Sequence, residues 1–296
     1  MRVASIKIAL EKEVTVAIQG ELGAYSQQAV YSFFGKEKVK KVLALPTLQR
    51  VFHVLCSGRA APNYAVVPIE NSSAGSVGET IDLLISRNVR IIGETKVPVQ
   101  HCLIIHPESR ITKIKKVMSH PQALAQCREY LDKNGKGWEQ IAVYDTAGSI
   151  KMIKEQHLFD AAGIASELAS EIYGMKVVKK GIEDDKTNTT RFVVIQDGAG
   201  MVSEVATEPT GDDKTSAIFA TKHEPGCLVK ALSALSSNGI NLNRIESRPY
   251  RGRPWEYYFY VDFSGHIKDE SVRNAVEELK DQVEELKILG SYQRRI

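Results

Sequence analysis

Apolar side chains along this chain follow two rhythms, and the switches between them mark out its elements. Residues 14–19 form a short run of β-formers and read as a strand. Ala29, Val30, Phe33 and Phe34 then recur at helical spacing, with Ser26 as the expected cap and Gly35 as the stop. Residues 39–45 read as a second strand. Thr47 follows as the cap of a helix with Leu48, Val51, Phe52 and Leu55 on one face, closed by Gly58. Residues 64–67 are apolar without a break, as expected of a strand buried on both faces. Similar strand–helix units follow at 141–144 and 161–165. Alternation of this kind predicts an α/β fold with largely parallel sheet.

Residues 197–214 break the pattern. They hold three glycines, a proline and five acidic side chains with little apolar periodicity, and read as a linker. The rhythm then restarts. A strand is expected at 216–221, then a helix through Leu228, Leu232 and Leu235 to Gly239. Strands at 240–247 and 255–263 follow, joined by a turn-rich 249–254. A helix over 269–286 places Val272, Val276, Leu279 and Val283 on one face, and 287–292 closes as a strand. The order βαββαβ is the ferredoxin-like arrangement. The length of 296 residues fits two domains of roughly 100–200 residues each.

In parallel sheets, ligands bind beyond the carboxyl ends of strands, where helix N-termini aim free N–H groups outward. Four such junctions carry small residues, hydroxyls or amides: Gly20 to Ser26, Pro68 to Val77, Ser119 to Ala123, and Asp145 to Ser149. Any one of them alone is better read as a helix cap. Together they predict a cleft lined with donors for a small anionic ligand. A fifth segment, Asn188-Thr189-Thr190-Arg191-Phe192, enters the last strand of this region, where a guanidinium suits a carboxylate. Its plainer reading is an edge-strand arginine over a core phenylalanine. No glycine-rich nucleotide fingerprint is present, and no Ser/His/Asp assignment stands out.

Composition narrows the classes. Apolar residues make up 43% and charged residues 25%, and the formal net charge of +3 comes from scattered basic residues. Nucleic acid and membrane surfaces are therefore not expected as main partners. No apolar run reaches the length of a membrane span, and charges interrupt residues 5–12, so a cytosolic location is expected. Cys56, Cys102, Cys127 and Cys227 lie far apart, and the seven histidines lack ligand spacing; His101 and His106 stand five apart. Neither a metal site nor a disulfide framework is expected.

The junction segments, in this order, resemble the signature stretches of prephenate dehydratases: Gly20-x-x-Gly23-x-Tyr25-Ser26, Pro68 to Val77, Ser119 to Gln122, Asp145 to Gly148, and Thr190-Arg191-Phe192. The resemblance covers about 14–196. Its continuation resembles the regulatory ACT domain of the same family, with Gly226-Cys227-Leu228-Val229 and Glu246-Ser247-Arg248-Pro249 at the positions that bind phenylalanine. Two departures stand out: Cys227 replaces a usual alanine, and Ser149-Ile150 replaces a usual Ala-Ala.

The resemblance implies a two-lobed, periplasmic-binding-protein-like catalytic domain over 14–196, the second lobe spanning about 97–176. A linker at 197–214 and an ACT domain at 215–296 would follow. Only about a dozen residues precede the first strand, too few for the chorismate mutase domain of bifunctional relatives. It further implies decarboxylating dehydration of prephenate to phenylpyruvate, without cofactor or metal. Thr190 would assist the leaving hydroxyl, with Glu70 as proton source if buried. Arg191 would fix a carboxylate and Phe192 would pack beneath the ring. Asn71, Ser72, Ser119, Gln122, Thr146, Tyr25 and Ser26 would supply donors. L-phenylalanine would inhibit by binding Gly226–Val229 with Asn241 and Leu242, facing Glu246 to Pro249 of a partner subunit in a homodimer or homotetramer. The alternatives are arogenate dehydratase, a non-catalytic binding protein of the same fold, and a purely regulatory amino-acid-binding protein.

Overall fold

The computed structural model describes residues 13–58, 61–199 and 207–295; the expectations for the extreme N-terminus and the middle of the linker lie outside them. The first lobe begins as its periodicity predicts. Strand β1 (Val14–Gln19) is followed by α1 (Tyr25–Phe34), β2 (Val39–Leu45), α2 (Leu48–Leu55), β3 (Tyr64–Asn71), the two-residue β4 (Gly75–Ser76), α3 (Gly78–Ser86) and β5 (Val89–Pro98). Strands β2 and β3 both lie parallel to β1. Ala29, Val30, Phe33 and Phe34 of α1 cover one face, and α2 and α3 cover the other with Val51, Phe52, Leu55, Ile81 and Leu84. Thr47 caps α2 as expected, accepting the Arg50 N–H at 3.2 Å. Ser26 does not cap α1; the helix starts one residue before it, and Ser26 lies buried within the first turn.

The second lobe holds β6 (Cys102–Ile105), β7 (Lys116–Ser119), α4 (Pro121–Gln126), α5 (Arg128–Asn134), β8 (Glu139–Ala142), α6 (Thr146–Glu155), β9 (Ala161–Ala165), α7 (Glu167–Tyr173) and β10 (Lys176–Lys180). Its sheet runs β10-β6-β9-β7-β8. The expected return to the first lobe near Val177 is corrected here. Residues 176–180 pair antiparallel with β6, so Val177 extends the second sheet and the chain crosses back only after Lys180. The outward and return crossings are joined to each other: Ile182 N–H donates to the His101 carbonyl at 3.0 Å, and Val99 N–H to that of Asn188 at 2.9 Å. Strand β11 (Thr189–Asp197) then slots antiparallel between β3 and β5, giving the first sheet the order β2-β1-β3-β11-β5.

The third sheet comprises β12 (Asp213–Ala220), α8 (Cys227–Ser237), β13 (Leu242–Pro249), β14 (Tyr257–Ser264), α9 (Glu270–Gln282) and β15 (Glu285–Gln293), ordered β13-β14-β12-β15. Both helices cover one face. The other face packs on the first lobe, where Ile218, Tyr260, Leu289 and Tyr292 share one core with Ile81, Leu84, Val89 and Ile91. Gly290 approaches β5 so closely that a Cβ would lie 2.0 Å from the Ile91 carbonyl oxygen. Strand β12 starts three residues earlier than the pattern predicts. Asp213 and Lys214 read as linker because they are charged, yet both are buried with partners: Asp213 with Thr210, Lys214 with Glu94.

Candidate active site

A cleft of about 320 Å³ opens between the two lobes. From the first lobe it is lined by Gln19 at the end of β1, by Pro68 and Asn71 on β3, by Thr190 opening β11, by Ala24, Tyr25 and Ser26 at the start of α1, and by Val77. The second lobe supplies His120, Gln122, Ala123 and Gln126 around α4, and Tyr144, Asp145 and Thr146 at the start of α6. Val99 and His101 come from the first crossing. Four helices, α1, α3, α4 and α6, therefore begin at the cleft wall, and their positive ends suit an anion. No lysine or arginine is among these lining residues.

Asn71 organises the chemistry-bearing corner. Its Oδ1 accepts the N–H groups of Ser73 and Ala74 at 3.1 and 2.8 Å, which fixes the amide's orientation. Its Nδ2 then donates to Asn188 Oδ1 at 2.7 Å and to Thr190 Oγ1 at 2.9 Å. A hydroxyl whose oxygen already accepts an amide N–H keeps its own proton for a group in the cleft.

The opposite wall is held by bonds between the lobes. Gly20 and Gly23 adopt φ of +97° and +89°, conformations that side chains disfavour. A Cβ on Gly20 would lie 2.7 Å from Asp145 Oδ2, and one on Gly23 would lie 2.6 Å from Ala169 Cα. Ser166 Oγ donates to the Gly23 carbonyl at 2.6 Å, Tyr144 Oη donates to Glu21 Oε1 at 3.0 Å, and Lys151 pairs with Glu21 Oε2 at 3.1 Å. Asp145 caps α6 through the Gly148 N–H at 2.8 Å. Burial raises its carboxyl above the usual range, with the Glu21 charge adding to the effect and backbone N–H groups opposing it. Burial likewise pushes the Tyr25 hydroxyl well up, so it stays neutral. Tyr25 Oη donates to the Gln100 carbonyl at 2.8 Å and lies 2.9 Å from His101 Nδ1. His101 Nε2 meets Gln126 Oε1 at 3.0 Å, and burial lowers the imidazole below its ordinary value.

Several expected site residues lie elsewhere. Successive side chains on a strand point to opposite faces, so Asn71 and Thr190 face the cleft while Glu70 and Arg191 face the third sheet. Glu70 is 41% exposed and pairs with Arg191 at 3.2 Å and Arg244 at 3.8 Å; the burial that a proton-donating role requires is absent. Arg191 is buried against Asp262 and Glu94 at 2.8 and 3.2 Å and does not line the cleft. Phe192 sits in the α1-side core with Val66, Val97 and Phe33, and does not line the cleft. Ser72 staples the turn by accepting the Thr189 N–H at 2.9 Å. Ser119 is fully buried and donates to the Ile164 carbonyl at 2.6 Å. Tyr25, Ser26, Gln122, Thr146, Asn71 and Thr190 do line the cleft together.

Gln19, His101, Gln126 and Tyr144 were not foreseen as lining residues. His101 stands between β5 and β6, a place that metal-ligand spacing does not reveal. In the third sheet, Glu246 accepts Ser76 Oγ at 2.6 Å, and Arg248 makes a bidentate pair with Asp82 at 2.8 and 2.9 Å. These side chains face the first lobe of their own chain. Ser247 and Pro249 are exposed on the other side of β13. Gly226 precedes α8 with φ +84°, Cys227, Leu228 and Val229 form its first turn, and Val229 is 68% exposed. Asn241 bonds Asn243 at 2.9 Å, just ahead of the partly buried Leu242.

A family model described as prephenate dehydratase matches residues 16–199. The chain is 40% identical over 293 residues to an Arabidopsis thaliana protein named arogenate dehydratase/prephenate dehydratase 2, chloroplastic, covering 94% of this chain and 72% of that one. Among solved structures it resembles a prephenate dehydratase from Arthrobacter aurescens in complex with L-Phe, with TM-score 0.84 and 29% identity over 95% of this chain and 90% of that one. It also resembles GqqA, described as a novel type of quorum-quenching acylase, with TM-score 0.85 and 30% identity over 95% and 98%.

Proposed function

The chain belongs to the prephenate dehydratase family and is an enzyme, and from that premise we propose that its cleft converts prephenate to phenylpyruvate. In this reaction the ring C–C bond to the carboxylate breaks and its electron pair enters the ring. The C–O bond to the ring hydroxyl breaks in turn, and the departing oxygen takes a proton and leaves as water beside carbon dioxide. Thr190, oriented by Asn71, is the proton-bearing group aimed at that oxygen. An alcohol is a weak acid at neutral pH, so its role is a hydrogen bond or relay that strengthens as negative charge builds on the leaving group.

Among the described residues no lysine or arginine lines the cleft, which fits the step. A guanidinium on the ring carboxylate would stabilise it in the ground state and lose that interaction as neutral carbon dioxide forms. Pro68, Val77, Val99 and Ala123 provide an apolar wall instead, while Ser26, Gln122, Thr146 and the helix starts suit the side-chain carboxylate. The Asn71–Thr190 bond at the cleft is the observation that carries this reading. Thr190→Ala should fold as the wild type does and lower kcat by about a hundredfold or more, the scale of one lost transition-state donor, while Thr190→Ser retains much more. Wild-type turnover by Thr190→Ala would overturn the assignment.

Arogenate, which carries an ammonium in place of the keto group, is the second candidate substrate, and the Arabidopsis relative bears both names. Asp145 is the cleft carboxylate that would meet such an ammonium, but it is already engaged by N–H groups of both lobes. Prephenate is therefore preferred here, and the ratio of kcat/KM for the two substrates decides. Acyl transfer is less favoured, since both histidines that line the cleft are engaged: His101 is held by Tyr25 and Gln126, and His120 caps α4 through the Gln122 N–H.

The third sheet with its two helices serves, in this proposal, as an ACT-type sensor for L-phenylalanine within a cytosolic homo-oligomer. The βαββαβ order supports it, as does the complex with L-Phe formed by the Arthrobacter aurescens relative. Calorimetry with L-phenylalanine at concentrations where sedimentation gives the oligomeric state tests both parts.

A further inference from the structure

We infer that Asp262 and Lys214 of the third sheet are positioning residues for Thr190, acting through Arg191 and Glu94. The inference rests on the reading of Thr190 given above.

Both strands that present the cleft's hydrogen-bonded pair send their neighbouring side chain the other way. Asn71 is followed backwards along β3 by Glu70, and Thr190 is followed along β11 by Arg191. Glu70 and Arg191 pair directly at 3.2 Å. Arg191 Nη1 also reaches Glu94 Oε2 on β5 at 3.2 Å and Asp262 Oδ2 on β14 at 2.8 Å. Lys214 of β12 closes the group on Glu94 at 2.9 Å. Glu94 and Asp262 are 0% and 1% exposed, so two buried carboxylates are balanced by two buried cations drawn from both sheets.

Ser216 and Tyr260 fix Asp262 further, donating to its Oδ1 at 2.6 and 2.7 Å. Burial would raise the Asp262 carboxyl, but Arg191 and Lys214 overcome it and hold it below the ordinary value.

A purely structural interface has less need of such a group. Buried ion pairs add little net stability over apolar packing of the same shape, but they fix geometry because an unpaired buried charge is costly. The β11–β3 ladder is interrupted between Arg191 and Phe192, immediately beside the cleft residues. At that break the β3 side of the ladder gives less support, while the β5 side stays in register from Thr189 to Val194, and the anchor on Arg191 reinforces the β3 side. A displacement of the third sheet therefore shifts Thr190 and Asn71 relative to bound substrate.

The test uses Asp262→Asn in the full-length protein, with Lys287→Met as a control. Lys287 holds the same interface at the opposite end of β11 from Thr190, where Asp197 pairs with Val89, and donates to the Leu84 and Arg87 carbonyls at 2.7 and 2.5 Å. Hydrogen exchange should quicken in the peptide covering 189–192 for Asp262→Asn and stay at the wild-type rate for Lys287→Met. With prephenate, Asp262→Asn should lower kcat roughly ten- to hundredfold, the scale of a small misplacement, with KM little changed. Should Asp262→Asn fail to fold, Ser216→Ala retains every charge, removes one anchor from Asp262, and should show the same pattern at smaller size.

Unchanged exchange at 189–192, or exchange quickened evenly through the first lobe, would overturn the inference. So would an equal loss of kcat in Lys287→Met. Exchange is read without turnover, so a wild type inactive on prephenate would sink the reaction assigned above and leave this measurement still decisive.

Discussion

Asn71 and Thr190 illustrate how much depends on one donor's direction. In Asn71→Ala, Thr190 and Asn188 lose a donor, and the Ser73 and Ala74 N–H groups lose an acceptor. A stability loss of about 1–3 kcal/mol is expected, together with reduced kcat. Asn71→Asp should reduce kcat more than the alanine does. A carboxylate beside Thr190 draws the hydroxyl proton away from the cleft and opposes negative charge on the leaving oxygen. Steady-state kinetics on the two variants decide, and a more active aspartate variant would contradict the assigned direction. Sequence motifs grouped Glu70 with Asn71 and Arg191 with Thr190 as one site. The two-residue strand period does separate them, but it cannot say which face is the cleft when both faces are covered. What covers the second face is a sheet built from strands β12 to β15, with Asp262 71 positions beyond Arg191, and that contact is invisible in local pattern.

At the scale of elements, starts and stops were more legible than partners. Thr47 caps α2 and Gly35 ends α1 as their residue types predict. Strand β10 (Lys176–Lys180), three of whose five residues are lysine, carries little apolar signal of its own, yet its backbone pairs with β6 and keeps it in the second lobe. The spacing Gly20-x-x-Gly23 was recognised, but its reason lies between lobes: Asp145 and Ala169 leave no room for a Cβ. Gly23→Ala should therefore combine an unfavourable φ, about 1–2 kcal/mol, with overpacking of about 1–3 kcal/mol. Urea unfolding should show a loss of at least about 2 kcal/mol, and a variant as stable as wild type would mean the lobes part easily.

At the scale of the whole molecule, a linker at 197–214 suggests a separable catalytic unit, and the structure argues otherwise. The first lobe and the third sheet share one core, so removal of residues 212–296 would bare Ile81, Leu84 and Ile91 and leave Glu94 without Lys214. Such a fragment should be poorly soluble or bind a hydrophobic dye strongly; a monodisperse, fully active fragment would refute the shared core. The same interface carries a pH signature. Burial, aided by the Arg90 charge, lowers Lys287 from 10.5 to about 8. Between those values the unfolded chain binds the extra proton, so this residue's contribution to stability rises as pH increases from about 8 towards 10.5. The stability difference between wild type and Lys287→Met, measured by denaturant unfolding, should therefore grow in favour of the wild type over that window. A difference that is flat or shrinking would show that the ammonium is not penalised at this site.

The insertion of β11 between β3 and β5 also sets an order of events during synthesis. Both neighbours are complete by Pro98, while the strand that joins them ends at Asp197. On a ribosome adding roughly 5–20 residues per second, the intervening second lobe takes several seconds to emerge. Throughout that interval β3 and β5 each present an unpaired, largely apolar edge, the feature that recruits foreign strands. Contacts so distant in sequence form slowly. Lowering the translation rate across residues 99–188 should therefore lengthen the exposure and reduce the soluble fraction, and chaperones that shield strand edges should restore it.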